Sequence, residues 1–128
     1  MTIAFWCVFV ACLLPVLTAW LSSWYRYQQF GSIDNKHPRT QSAAMEGAGA
    51  RAVAAQQNAW EALPVFVAAV VVAYLAGLDQ TKADIAGVIF IVARLLYPVF
   101  YICNLDILRS LSFIVGFFSC VSLFVMAA

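Results

Sequence analysis

Long apolar runs alternate with short polar breaks along this chain, and the lengths of the runs set the class of protein. No charged residue occurs before Arg26. As a helix rising about 1.5 Å per residue, the stretch Met1–Tyr25 reaches roughly 37 Å, enough to cross a hydrocarbon core of about 30 Å. Its start, MTIAFWC, lacks the basic residues of a secretory signal, so an uncleaved first span over about residues 2–25 is expected. Trp20, Trp24, Tyr25 and Tyr27 at its far end match an interfacial aromatic belt. The segment from Arg26 to about Gln41 is polar, with Gly31, Asp34, Asn35, Lys36, His37, Pro38 and Arg39, and reads as a loop.

A second helix is expected over about 42–76. Its first half is alanine-rich, and it is free of charge only from Ala62. Ala44, Ala48, Ala52, Ala55 and Ala59 recur at three- and four-residue spacing, a pattern that lets membrane helices approach closely. Gly77 suits a helix C-cap. Thr81 with Asp84 then matches a capping box opening a third helix over about 82–104. Between Ile85 and Leu105 the only charge is Arg94. Asn104 and Asp106 mark a second tight turn, with Asp106 a candidate N-cap. The last span, about 107–126, carries Arg109 alone. The expected fold is all-α: one domain over residues 1–128, a polytopic bundle of four transmembrane helices, without internal repeats.

Composition narrows the function classes. The chain is 65% hydrophobic and 10% charged, where a soluble domain is about half apolar and a quarter charged. That excludes an ordinary cytosolic enzyme and a disordered segment. A net charge of +1 gives no electrostatic footprint for nucleic acid. Cys7, Cys12, Cys103 and Cys120 lie in apolar stretches and read as buried free thiols. His37 reads as a solvated loop histidine, and zinc-ligand spacing is absent, so no metal site is expected. Arg26, Lys36, Arg39 and Arg109 flank the first and third connections, Arg51 lies just inside the second helix on that side, and only Lys82 lies on the other. The positive-inside rule therefore places those connections in the cytoplasm and both termini outside.

Polar groups inside spans cost roughly 2.5–3.5 kcal/mol each for charges, so each needs a partner or a use. Arg51, Asn58 and Glu61 fall within a helical sector of roughly 80°, with Gln56 and Gln57 nearby and Pro64 kinking the helix beside them. Arg94, Tyr97 and Tyr101 share a face of the third helix. Two readings stand. Glu61 and Arg94 could form an interhelical ion pair with Asn58 and the tyrosines as hydrogen-bonding glue. Alternatively, both charge signs between helices suit a zwitterionic ligand. Arg109, in a helix's first turn, makes either an anion site or an arginine reaching for lipid phosphates.

The segments ARAVAAQQNAWEALPVF (Ala50–Phe66), RLLYPVFY (Arg94–Tyr101) and DNKHPR (Asp34–Arg39) resemble the MAPEG family, membrane-associated proteins in eicosanoid and glutathione metabolism, and its bacterial branch in particular. The resemblance implies a homotrimer in a bacterial inner membrane, with glutathione as co-substrate in clefts between subunits. The second substrate would be an apolar electrophile or a lipid hydroperoxide delivered from the membrane lipids. Carried over by residue, Asn58 and Glu61 would hold the peptide's polar groups, with Arg51, Gln56 and Arg94 among the binding residues. Tyr97 and Tyr101 would line the cleft. Arg109 would stabilise the thiolate, with Ser110 beside it, and Arg26 is a counterpart of an arginine used near the sulfur. Ala54 stands where members with glutathione chemistry usually carry an arginine, and Ala62 where leukotriene-forming relatives often carry tyrosine. The resemblance thus implies a glutathione transferase or peroxidase; the alternative is a non-catalytic trimeric membrane protein with a structural or lipid-binding role.

The charge asymmetry generates a first prediction. A periplasm-active reporter fused at Ala128 should be active, and one inserted between Asp34 and Arg39 inactive. The opposite pattern would overturn the orientation.

Overall fold

The computed structural model describes residues 1–128. It contains helices α1 (Ile3–Phe30), α2 (Pro38–Ala43), α3 (Gly47–Leu75), α4 (Gln80–Ile102) and α5 (Asp106–Ala127), and no strand. All four long helices are long and apolar enough to span a membrane. α3 and α4 each touch every other long helix, whereas α1 and α5 do not touch each other. The central pair α3–α4 therefore positions everything else.

The first helix runs on to Phe30, past the expected end at Tyr25, so Arg26 sits inside α1 rather than opening a loop. Polar residues do not terminate a helix by themselves. Gly31 does, at φ 71°, with its N–H donating to the carbonyl of Tyr27. Pro38 then starts the short α2 from its first turn, so part of the polar segment is helical. In the turn between them, the Asp34 carboxylate accepts from the backbone N–H groups of Lys36 and His37, both at 2.9 Å. Those bonds, His37's foremost, hold the Asp34 carboxyl below its usual range. Their contribution is present above the ordinary carboxylate pKa and is lost as pH falls through the lowered one. Gln41 closes the turn, accepting from Asp34 N–H and donating to the Ser32 carbonyl.

Both tight turns end their helices by the same device. After α3, Gly77 N–H bonds to Tyr74 O and Leu78 N–H to Ala73 O, with Gly77 at φ 74°. This is a Schellman motif, as the glycine predicts. After α4, Asn104 takes the left-handed position at φ 59°, its N–H bonding to Tyr101 O and that of Leu105 to Phe100 O. The starts of α4 and α5 differ from expectation. Asp79, not Thr81, caps α4, accepting from Lys82 N–H at 3.2 Å. Asp84 is drawn away to accept Ala4 N–H of α1 at 2.8 Å. Asp106 lies within α5's first turn, and Leu105 occupies the cap without a side-chain bond. There its charge still complements the positive end of the helix.

The core is built from small residues around one aromatic stack. Of its thirteen residues, six are alanine and two are cysteine, which lets the backbones approach closely where lipid offers no hydrophobic drive for helix association. Gly87 shows how close: a Cβ there would lie 3.3 Å from Ala4 Cα. Phe66 and Phe90 stack at 3.8 Å between α3 and α4. Ala52, Ala55 and Ala59 are buried within the chain, while Ala44 is exposed. Only 30 of 128 residues are buried, and the outer shell of Trp6, Phe9, Leu17, Trp20 and their like is the surface a lipid bilayer solvates. Cys7 and Cys120 are buried as expected, but Cys12 and Cys103 are exposed, one on the outer face of α1 and the other in the turn after α4.

Because Phe66 has no exposed surface and a stacked partner, Phe66→Ala should destabilise the fold by about 3 kcal/mol, through lost packing contacts and the cavity left behind. Phe118→Ala, on the exposed face, should leave thermal unfolding in detergent nearly unchanged. Equal melting temperatures for the two variants would contradict this packing.

Candidate functional site

Pro98 on α4 leaves the Arg94 carbonyl without its helical donor, and the Arg94 side chain on that same turn is only 4% exposed. It occupies the space beside Gly116 of α5, where a Cβ would lie 3.3 Å from Arg94 Cδ. Its Nη2 donates to Asn58 Oδ1 at 2.7 Å, and its guanidinium lies 4.5 Å from the centre of the Tyr97 ring. A guanidinium has only donors, so this bond fixes which way the Asn58 amide points. Asn58 Nδ2 is thereby turned to Glu61 Oε2, at 3.3 Å. Glu61 itself is exposed. Of the two readings, the direct Glu61–Arg94 ion pair is not formed: the two are joined by a relay through an amide, guanidinium to carboxamide to carboxylate.

Two cavities open beside this relay and share Asn58 and Phe113 as walls. One, of about 240 Å³, is mostly apolar, lined by Val65, Phe90, Phe117 and Cys120 together with Glu61 and Arg94. The other, of about 390 Å³, is lined by Tyr97, Tyr101, Arg109 and Ser110. Tyr97 and Tyr101, four residues apart on α4, meet edge to face at 5.7 Å. Arg109, in the first turn of α5, places its guanidinium 4.6 Å from the centre of the Tyr101 ring. This face thus presents a carboxylate and an amide at one side and a cation with a hydroxyl at the other. Such an arrangement suits a small peptide-like zwitterion.

The remaining candidates lie elsewhere. Arg26, Ser23, Arg39, Gln56 and Trp60 line a groove of about 470 Å³ between α1, α2 and α3. Gln56 and Asn58 are two residues apart on α3, so they point about 200° apart around it. Arg26 is 8% exposed; Nη1 donates to Pro38 O at 3.2 Å and Nη2 to Ser23 Oγ at 3.0 Å. Its Nε is buried with no partner in the chain, an unmet donor on the groove side of α1. Arg51 lines none of these three cavities. Its Nε and Nη2 both donate to the Ile102 carbonyl, at 3.1 and 3.0 Å. Sequence reasoning missed Phe113, Gly116, Phe117 and Cys120. Their i, i+3, i+4, i+7 spacing puts them on one face of α5, but in a span apolar all round that spacing does not set the face apart.

A family model described as MAPEG family matches residues 3–128. No curated protein and no solved structure matches the chain.

The relay predicts unequal costs for its members. Asn58→Ala removes the hydrogen bond to a buried cation and should cost about 1–3 kcal/mol. Glu61→Ala, at an exposed carboxylate, should cost well under 1 kcal/mol. Thermal unfolding in detergent distinguishes the two, and a larger loss for Glu61→Ala would mean that the carboxylate, not the amide, compensates Arg94.

Proposed function

The chain belongs to the MAPEG family, and from that premise we propose that it is a glutathione-dependent membrane transferase or peroxidase acting on apolar electrophiles or lipid hydroperoxides. The observation that carries this reading is Arg109 facing an open cavity at one end of the Asn58–Glu61 pair. Glutathione carries an ammonium, two carboxylates and a thiol. Glu61 would take the ammonium, with Asn58 Oδ1 and Nδ2 already oriented by Arg94. Tyr97 and Tyr101 would form the wall along which the peptide lies. Arg109, with the Ser110 hydroxyl beside it, would face the sulfur.

Glutathione's thiol is a weak nucleophile until ionised, and an adjacent cation favours the thiolate. In conjugation the thiolate's electron pair forms a C–S bond and the leaving group departs with its own pair. A cavity open toward lipid would admit the apolar partner without passage through water.

The groove holding Arg26 and Gln56 lies on the opposite face of α3, so one copy cannot close it around a ligand held at Asn58. We propose that in a homotrimer that groove meets the neighbouring copy's Tyr97–Arg109 cavity. A second reading, a non-catalytic trimer with a structural or lipid-binding role, is favoured by Ala54, which offers no guanidinium where relatives have one, and by Arg51, which is engaged with backbone.

Calorimetry on the detergent-solubilised protein tests the proposal. Glutathione should bind at millimolar concentration or below, and the bound thiol should show thiolate absorbance near neutral pH. Arg109→Leu should abolish that absorbance and turnover of a generic aromatic electrophile while retaining binding. Asn58→Ala should mainly weaken binding, because it acts on atoms remote from the sulfur. No binding by the unmodified protein, or full activity in Arg109→Leu, would leave the structural reading in its place.

A further inference from the structure

We infer that Arg51 is a positioning residue for Arg109: it clamps the turn between α4 and α5, and through that turn it sets where the Arg109 guanidinium stands. The argument starts from what a Schellman motif leaves undone. At the end of α4 the N–H groups of Cys103, Asn104 and Leu105 satisfy the carbonyls of Val99, Tyr101 and Phe100. The motif supplies no donor to the last helical carbonyl, Ile102. Arg51, from the second turn of α3, fills that vacancy with two N–H groups, Nε at 3.1 Å and Nη2 at 3.0 Å. The same guanidinium places a positive charge at the negative end of the α4 dipole. A contact fifty-one residues apart in sequence thus ties the start of α3 to the end of α4.

Only Cys103, Asn104 and Leu105 separate Ile102 from α5. Tyr101 lies immediately before the clamped carbonyl. Arg109 lies in the first turn of α5, its N–H bonded to Leu105 O at 2.9 Å and its guanidinium against the Tyr101 ring. The clamp therefore holds both sides of that cation–π pair relative to α3, the helix that carries Asn58 and Glu61. Without it, no hydrogen bond from α3 reaches the turn, and the distance from Asn58 to Arg109 is set only by helix packing and by the Arg94–Asn58 bond two turns away. The clamp is a property of the chain alone; its effect on a thiol rests on the glutathione reading.

Two readouts on Arg51→Met and Arg51→Lys test this. Hydrogen exchange of the Asn104, Leu105 and Arg109 amides needs no ligand. It should accelerate about tenfold or more in Arg51→Met, with Arg51→Lys, which keeps charge and one donor, between that and the unmodified protein. In the presence of glutathione, Arg51→Met should lose most of the thiolate absorbance at neutral pH while changing the dissociation constant less than about threefold. Unchanged exchange in both variants would overturn the clamp. Faster exchange with unaltered thiolate absorbance would overturn its role in positioning Arg109, and a large loss of affinity with normal absorbance would make Arg51 a direct ligand contact instead. Should Arg51→Met fail to fold, Arg51→Lys decides by the same two measurements. If the unmodified protein binds no glutathione, the proposed activity falls, and the exchange result alone decides the clamp.

Discussion

Arg94 is the charge to which the rest of the bundle is fitted. A guanidinium at membrane depth cannot be left to lipid, and its five donors demand acceptors within the protein. The chain answers from three helices. Asn58 of α3 supplies an oxygen, Tyr97 of α4 a π face, and Gly116 of α5 the room for the side chain's stem. Each concession has a further effect. The amide is locked in one orientation, so its NH2 is directed at Glu61. With its stem held at Gly116, Arg94 also forms part of the wall of the cavity that Phe113, Phe117 and Cys120 border. The polar chemistry of the site and the cavity beside it thus meet at one buried side chain.

The helical spans and their turns were legible because they rest on local rules. Run length sets a span, and Gly77 takes a left-handed conformation that other residues resist. Local pattern misled where a distant group competed for the same side chain. Asp84 fits a capping box with Thr81, yet its carboxylate is occupied by Ala4 N–H of α1, and Asp79 caps α4 instead. Nothing near Asp84 in sequence announces that rival donor.

The candidate site was legible as sectors of helices and no further. Periodicity put Arg51, Asn58 and Glu61 within one sector of α3. A sector extends along a whole helix, however, and its neighbour does not. α4 ends at Ile102, so Arg51 meets a helix terminus, whereas Asn58 meets the flank of the same helix and finds Arg94. Gln56, only two residues from Asn58, belongs to another groove because the helix turns it away. Which helix lies against which sector is fixed by small-residue packing such as Gly87 against Ala4, which is tertiary information.

The hydrogen bond from Ala4 N–H to Asp84 also bears on biogenesis. The first span leaves the ribosome about eighty residues before the carboxylate that completes its amino-terminal turn. Thr2, three residues away, can accept Phe5 N–H from within the same segment, but the acceptor of Ala4 N–H lies at the start of α4 and is not available until that segment has been made. The amino-terminal turn of α1 is thus completed by a group from another span, in the same place where Ala4 packs against Gly87. A truncation that keeps α1 but ends before Asp84 would therefore leave the first span with an open amino-terminal turn.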